Sequence, residues 1–420
     1  MRALPFTQHT LANGLRVVIV PRRSASIVNI TVAYRVGSKD ENPAHTGFAH
    51  LFEHLMFEGS DNLANGLFDR YCTAAGGNNN AFTTHDSTVY YMVLPSHQLE
   101  LGLWLEADRM AAFGVDQAAL QTQQNVVVEE ISQNVENQPY GSFSRVLSET
   151  AYRPGSPYGW DVYGSAEHVR NSTLDDVNAF FRRHYRPDNA CLVISGNVDP
   201  EQGIALARKY FEAIPRGTQP LQRVSESAQD RLIGRETRVE DNIPLEGIFR
   251  VYHFDGFSSD DTFTANILTS ILSDGQSSRL YSALVYEQKI ASEVGVYVDD
   301  RELSSLLVNY AIAAEPDIAA ADLDAALSAV LNDVAQHGVT EHEMHKAQNR
   351  TATRLARNMQ RNFGIANEIA FNTLYFDDPA RAFAMAEKYA AVTAADVQAF
   401  AQKVCRRENS VGITFVPKSN

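Results

Sequence analysis

The chain has 420 residues, 44% of them hydrophobic and 21% charged, with 24 Gly and 15 Pro. At about 150 residues per domain this is room for two or three domains or a duplicated pair, and the composition excludes disordered, collagenous and coiled-coil classes. Against 51 Asp and Glu stand 36 Lys and Arg, a net charge of −15 that argues against nucleic acid and anionic membranes as partners.

Cys72, Cys191 and Cys405 lack CxxC spacing, so neither a disulfide framework nor a thiolate zinc site is expected; they read as small buried residues. The N-terminal residues contain no apolar stretch of secretory length, and no 18-residue apolar run occurs anywhere. The expectation is a cytoplasmic location as numbered, or a periplasmic one if a leader was removed before Met1.

In chain order, Leu15–Val20 and the alternating run Ile27–Val36 predict two strands, taken as an antiparallel pair. Gly47–Phe57 turns helical, with Phe48, Leu51, Phe52, Leu55 and Met56 on one apolar side. Asn65–Ala75 is a second helical stretch, broken by Gly76–Asn80; strands follow at Ala81–Thr84 and Ser87–Leu94. Helices are predicted over 97–113, 117–138, 174–185 and 200–211, with a strand at Cys191–Ser195.

Residues 215–241 lose apolar periodicity and read as a linker. Beyond it, Gly247–His253 and a helix over 260–272 repeat the strand-to-helix opening of the first half. The expected fold class is α+β. Two similar domains, 1–214 and 242–420, would each be a mainly antiparallel sheet covered by helices.

The segment His50-Leu-Phe-Glu53-His54 lies inside the first predicted helix. Histidines four apart stand one turn apart on one face, where both imidazoles reach a single ion. Two neutral imidazoles suit zinc, and Glu53, sharing that face, can hold and deprotonate a metal-activated water. Chance predicts roughly 0.04 such pentads in a chain of this composition. A catalytic zinc takes a third ligand from another element, and the predicted helix around Val126-Val-Val-Glu129-Glu130 offers two adjacent acids. The spacing of apolar neighbours Val126, Val127 and Val128 favours Glu130; both acids cannot be ligands, because neighbouring helix positions point about 100° apart.

This inverted HxxEH order resembles the M16, or pitrilysin-type, metallopeptidases, also called inverzincins. The resemblance extends through Asn13-Gly14-Leu15, Gly47–Gly59, Gly76-Gly77 with Asn80-Ala81-Phe82-Thr83, and Tyr185–Asn189 leading to Gly196-Asn-Val198. It implies that His50, His54 and Glu130 bind zinc, since the family's third ligand follows the second histidine by about 76 residues. It also implies that Glu53 is the general base and that Asn80, Ala81, Phe82 and Thr83 form an edge strand pairing with substrate backbone. Two domains of such a chain would make half of a clamshell chamber.

Two departures stand out. The family usually carries a glutamate seven positions before the ligand glutamate, where this chain has Gln123, a neutral amide. Active members also carry an Arg, and a Tyr seven residues on, after a segment like Ser277-Ser278-Arg279-Leu280; here Val285 and Ser292 take those places. Neither can polarise a substrate carbonyl as Arg and Tyr do. Arg279, Tyr286 and Tyr297 lie nearby, but would require a shift of register.

The resemblance therefore implies a zinc endopeptidase acting on peptides or unfolded segments. A related subunit would supply Arg and Tyr in a heterodimer, with a homodimer as a second arrangement. The alternative is a non-catalytic core or interaction subunit of a larger complex. His342 and His345 read as a solvated helix start, and His45 and His85 as loop or surface residues, with His85 placed to face substrate. No GxSxG elbow or GxxxxGK[ST] loop competes with the metal motif.

Overall fold

A computed structural model of the chain describes residues 4–418. In chain order its elements begin with β1 (Thr7–Thr10), β2 (Arg16–Pro21), β3 (Ile27–Tyr34), α1 (Phe48–Leu55), α2 (Leu67–Ala74), β4 (Asn78–Thr83) and β5 (Thr88–Pro95). There follow α3 (Leu99–Ala111), α4 (Gln117–Ile131), α5 (Phe143–Ala151), α6 (Ala166–Arg170), α7 (Leu174–His184), β6 (Ala190–Gly196) and α8 (Pro200–Phe211). The later elements are β7 (Glu236–Asp241), β8 (Gly247–Asp255), α9 (Asp261–Ser273), β9 (Ala291–Asp299) and β10 (Ser304–Ala313). The chain closes with α10 (Ala320–His337), α11 (Glu341–Asn358), α12 (Asn362–Phe376), α13 (Arg381–Ala391), α14 (Ala394–Val404) and β11 (Ser410–Pro417).

Two compact units result. The first contains residues up to 131, 161–224 and 356–385; the second contains 132–160, 225–355 and residues from 386 onward. The units are thus interleaved and do not coincide with a 1–214 and 242–420 division, because 132–160 and 356–385 each fold with the other half of the sequence. The expected linker 215–241 ends in a strand, β7, which pairs in parallel with β11.

The first sheet has the order β1-β2-β6-β3-β5-β4. β6 is buried at every position and runs parallel to β2 and antiparallel to β3. The expected direct pairing of β2 with β3 is therefore corrected: β6 lies between them. Val17, Val18, Ile19 and Val20 of β2 are all fully buried, so this region needs cover on both faces. On one face Ile365, Ala366, Ile369 and Ala370 of α12 pack with Val18, Val20, Cys191 and Val193. Helix α3 approaches the sheet at Gly102, where an added Cβ would meet Ile30 Cδ1 at 2.4 Å.

The second sheet has the order β7-β11-β8-β10-β9. Numbered within its own unit, this is first, fifth, second, fourth, third, the order also followed by β2-β6-β3-β5-β4. In both sheets the first and fifth strands pair in parallel and the other pairs are antiparallel. The duplication expected from the repeated strand-to-helix opening is therefore present in the strand order. One face of the second sheet is covered by α5, whose Val146, Leu147 and Ala151 pack with Val251, Val308, Ile413 and Phe415.

Strand β4 begins at Asn78, inside the stretch expected to break structure, and at Gly77 a side chain would press on backbone, since a Cβ would lie 2.8 Å from Val93 O. All three cysteines are buried and free. Among the described residues no helix is long and apolar enough to cross a membrane.

Candidate metal centre

The candidate site belongs to the first unit and starts from α1. Gly47 caps this helix at φ +89°, where a Cβ would strike Tyr163 O at 2.5 Å. The Glu41 carboxylate accepts from the N–H groups of Gly47 (2.9 Å) and Ala49 (2.7 Å), satisfying first-turn donors. Phe52 anchors the buried side of the helix among Phe113, Phe180, Phe181 and Tyr185. With that side fixed, His50 and His54 point together toward α4.

There the imidazoles meet Glu130. His50 Nε2 lies 3.8 Å from Glu130 Oε1 and His54 Nε2 lies 3.4 Å from Oε2. Among the described residues these three form the one group of three or more His, Cys, Asp or Glu side chains able to share an ion, their ligand atoms lying within 4.8 Å of one another. Two imidazole nitrogens and one carboxylate are the donor set of a catalytic zinc with an open position, so the residues present fit that metal. Glu129, the neighbouring acid, is exposed and outside the group. Only Val127 of the valine run is fully buried; Val126 is 44% exposed, because consecutive helix positions cannot share a face.

Tyr163, which the sequence did not single out, donates its hydroxyl to Glu130 Oε1 (3.3 Å) and stands edge-on to the His50 ring. Glu53 remains outside the ligand group and accepts a hydrogen bond from Thr83 Oγ1 at 2.6 Å. Burial raises the Glu53 pKa, against the lowering effect of Thr83 and of His54. Burial likewise pushes His50 down to about 4, outweighing Glu130. For His54 burial works downward too, but the Glu130 carboxylate beside it prevails and raises it. Glu130 is lowered, chiefly by its contact with His54.

Asn80, Ala81, Phe82 and Thr83 all lie on β4, the terminal strand of the first sheet, opposite Tyr91, Tyr90, Val89 and Thr88 of β5. The Ala81 N–H is satisfied by Asn80 Oδ1 at 2.8 Å. His85 does not face outward: it is 8% exposed, and its Nδ1 bonds Ser38 Oγ at 2.8 Å. His45 lies beside Asp176, and His342 and His345 are exposed on α11 outside any such group.

In the second unit Arg279 is fully engaged, bonding Glu343 through Nε and Nη2 (2.6 and 2.8 Å), Asp333 (2.9 Å) and Gly338 O (3.0 Å). Ser292 Oγ donates to Ala313 O at 2.8 Å. Tyr286 is 75% exposed and Tyr297 40% exposed.

Residues 16–158 match the family described as Insulinase (Peptidase family M16), and residues 171–351 match the one described as Peptidase M16 inactive domain. Among named relatives, the chain is 30% identical to zinc protease PqqE of Helicobacter pylori over 80% of its own length and 76% of that protein. It is 27% identical to the mitochondrial-processing peptidase subunit beta of Lentinula edodes, over 67% of this chain and 62% of that one. Among solved structures, a protease from Helicobacter pylori superposes with a TM-score of 0.92 at 26% identity, covering 99% of this chain and 100% of the other. An M16 inactive domain from Pseudomonas fluorescens, 17% identical, has the same fold at a TM-score of 0.87 over 99% of this chain and 98% of that one.

Proposed function

The chain belongs to the M16 peptidase family, whose relatives here include named zinc proteases, and on that premise we propose that it is a zinc-dependent endopeptidase hydrolysing peptides or unfolded polypeptide segments. The observation that carries the proposal is the convergence of His50, His54 and Glu130 within 4.8 Å, with Glu53 on the same helix but outside the ligand set.

Bound by those three side chains, zinc supplies Lewis-acid activation of water and of the scissile carbonyl. Glu53 takes the proton of the attacking water and returns it to the leaving amine. Its raised pKa brings it closer to the working range of a general base, and Thr83 fixes the carboxylate by holding Oε2. β4 offers its outer edge to a substrate backbone through Asn80–Thr83, a mode that reads main chain before side chains.

The missing carbonyl-polarising pair points to a partner. Val285 and Ser292 hold no equivalent group, and Arg279 is committed to Glu343 and Asp333. We infer a related subunit contributing Arg and Tyr, in keeping with a relative that is itself named as a subunit. The complete donor set at His50, His54 and Glu130 supports catalysis over a purely structural subunit.

The test is cleavage of an unstructured, quenched fluorescent peptide by the purified zinc-loaded chain, with Glu53→Gln as control. Cleavage that the control abolishes establishes the peptidase and removes the need for a partner. Full zinc occupancy without cleavage, followed by activity on adding a related subunit, establishes the divided enzyme. A chain that takes up no zinc, or cleaves equally well as E53Q, sinks the proposal.

A further inference from the structure

The stretch from Asp161 to Ser172, which includes α6, is fastened to both helices that carry the candidate ligands. At the α1 end the Ser165 N–H donates to Thr46 Oγ1 at 3.0 Å. Gly164, at φ +63°, lies so close to the start of α1 that a Cβ there would strike backbone atoms of Thr46 and Gly47. The buried Asp161 carboxylate accepts from the Gly164 N–H at 2.8 Å and fixes the turn around Tyr163. At the α4 end the buried Gln124 amide donates to Val169 O and Ser172 O at 3.1 and 2.8 Å. Tyr163 therefore stands on a strut braced against α1 and α4 together.

From that strut its half-buried side chain reaches the metal centre. The ring meets the His50 ring edge-on, with centroids 5.0 Å apart and an interplanar angle of 81°, the arrangement that aromatic quadrupoles favour. The hydroxyl donates to Glu130 Oε1 at 3.3 Å. That oxygen is the one on the His50 side, 3.8 Å from His50 Nε2, while Oε2 lies 3.4 Å from His54 Nε2. Packing on His50 thus sets the direction of the ring, and the ring sets where the hydroxyl holds the carboxylate.

A glutamate side chain loses much rotamer freedom on being fixed, and the Glu130 side chain is 30% exposed, so packing alone does not confine it. We propose that Tyr163 is a positioning residue for the metal centre: its hydroxyl holds Glu130 Oε1 and keeps the carboxylate turned toward the two imidazoles, ready for an ion. The inference rests on the reading of Glu130 as a zinc ligand. Carboxylates that bind metals are themselves hydrogen-bonded, and loss of such a partner typically costs 10- to 100-fold in affinity. At 3.3 Å this bond is longer than is usual between two oxygens, which places the effect at the lower end, about tenfold.

The test is a set of zinc dissociation constants, measured by competition with a chromophoric chelator, on full-length wild type, Y163F, E130A and the Y163F/E130A pair. Phenylalanine keeps the ring against His50 and removes only the donor. Thermal unfolding of the metal-free proteins shows whether each variant is folded, and Y163L, which also lacks the hydroxyl, stands in for an unfolded Y163F. Zinc binding should weaken about tenfold in Y163F. In the E130A background, where the hydroxyl has no carboxylate to hold, the same change should alter affinity by less than about twofold.

Unchanged affinity in folded Y163F overturns the proposal. So does an equal loss in both backgrounds, which would show that the hydroxyl acts on something other than Glu130. Wild type that binds zinc and loses it with E130A, while Y163F binds normally, defeats only the positioning role. Wild type that binds no zinc defeats the zinc reading and the positioning role together.

Discussion

Thr83 Oγ1 donates a 2.6 Å hydrogen bond to Glu53 Oε2, linking the terminal strand of the first sheet to the helix that carries the HxxEH segment. The residue expected to present backbone to substrate therefore also holds the proposed base. Replacing Thr83 by Val keeps the shape and removes the donor, leaving Glu53 free to rotate in a partly buried site. In the active assembly kcat/KM should fall about 10- to 100-fold, less than the 10²–10⁴ that general-base catalysis contributes in full, because Glu53 itself remains, with zinc content unchanged. Thr83→Ser should retain most of the activity. Equal activity in T83V and wild type would remove Thr83 from the mechanism.

The two adjacent acids of α4 should separate cleanly in metal binding. Glu130→Gln removes a donor that lies 3.4 and 3.8 Å from the two imidazoles, and zinc affinity should drop by at least about tenfold. Glu129→Gln, at an exposed position outside the group, should leave it unchanged. Metal analysis after dialysis against a weak chelator reads both, and depletion in E129Q alone would reverse the assignment.

How much of this was legible follows from what kind of signal each residue sends. His50, Glu53 and His54 share one helix, so their spacing alone brings them together. Glu130 is reached through helical phase together with the family spacing, and the valine run beside it suggested more burial than Val126 has. Tyr163 and the Thr83 hydroxyl act across loops or between elements, where no period marks them. The antiparallel pairing expected of β2 and β3 failed because adjacency in sequence stood in for adjacency in the sheet, and β6 arrives more than 150 residues after β3 to separate them.

Acid should destabilise the chain before its carboxylates titrate. Burial, aided by Arg183, Arg223, Lys39 and Arg186, lowers His184 to about 3. Burial with Arg231 lowers His253 to about 4, although Nε2 of His253 bonds Ala151 O at 2.9 Å. Both are neutral when folded and protonate near pH 6.5 when unfolded. The stabilising effect is fully present above pH 6.5 and is lost as pH falls toward those folded values, because the unfolded chain binds more protons there. Each histidine contributes a slope of up to about 1.4 kcal/mol per pH unit. Denaturant unfolding at pH 7.0, 6.0 and 5.5 should show the decline, and His184→Gln should flatten it by about one proton. An H184Q slope equal to wild type would show that His184 is not the neutral group assigned here.

The interleaving of the two units makes a prediction about fragments. Residues 1–214 contain every side chain of the candidate metal centre but lack α12, which covers Val18, Val20, Cys191 and Val193 in the full chain. Without it an apolar face at the centre of the first sheet meets water, a patch of the kind that drives association. The isolated fragment should therefore bind a hydrophobic dye and self-associate, and supplying residues 356–385 on a tether should reduce the dye binding without abolishing it, since α5 still lacks the second sheet against which it packs in the full chain. In the full chain, Ile369→Ala, fully buried on α12, should cost about 2–5 kcal/mol by the cavity it leaves. A fragment 1–214 that runs as a monomer, ignores the dye and unfolds cooperatively would show that α12 is an accessory to this unit and not part of its core.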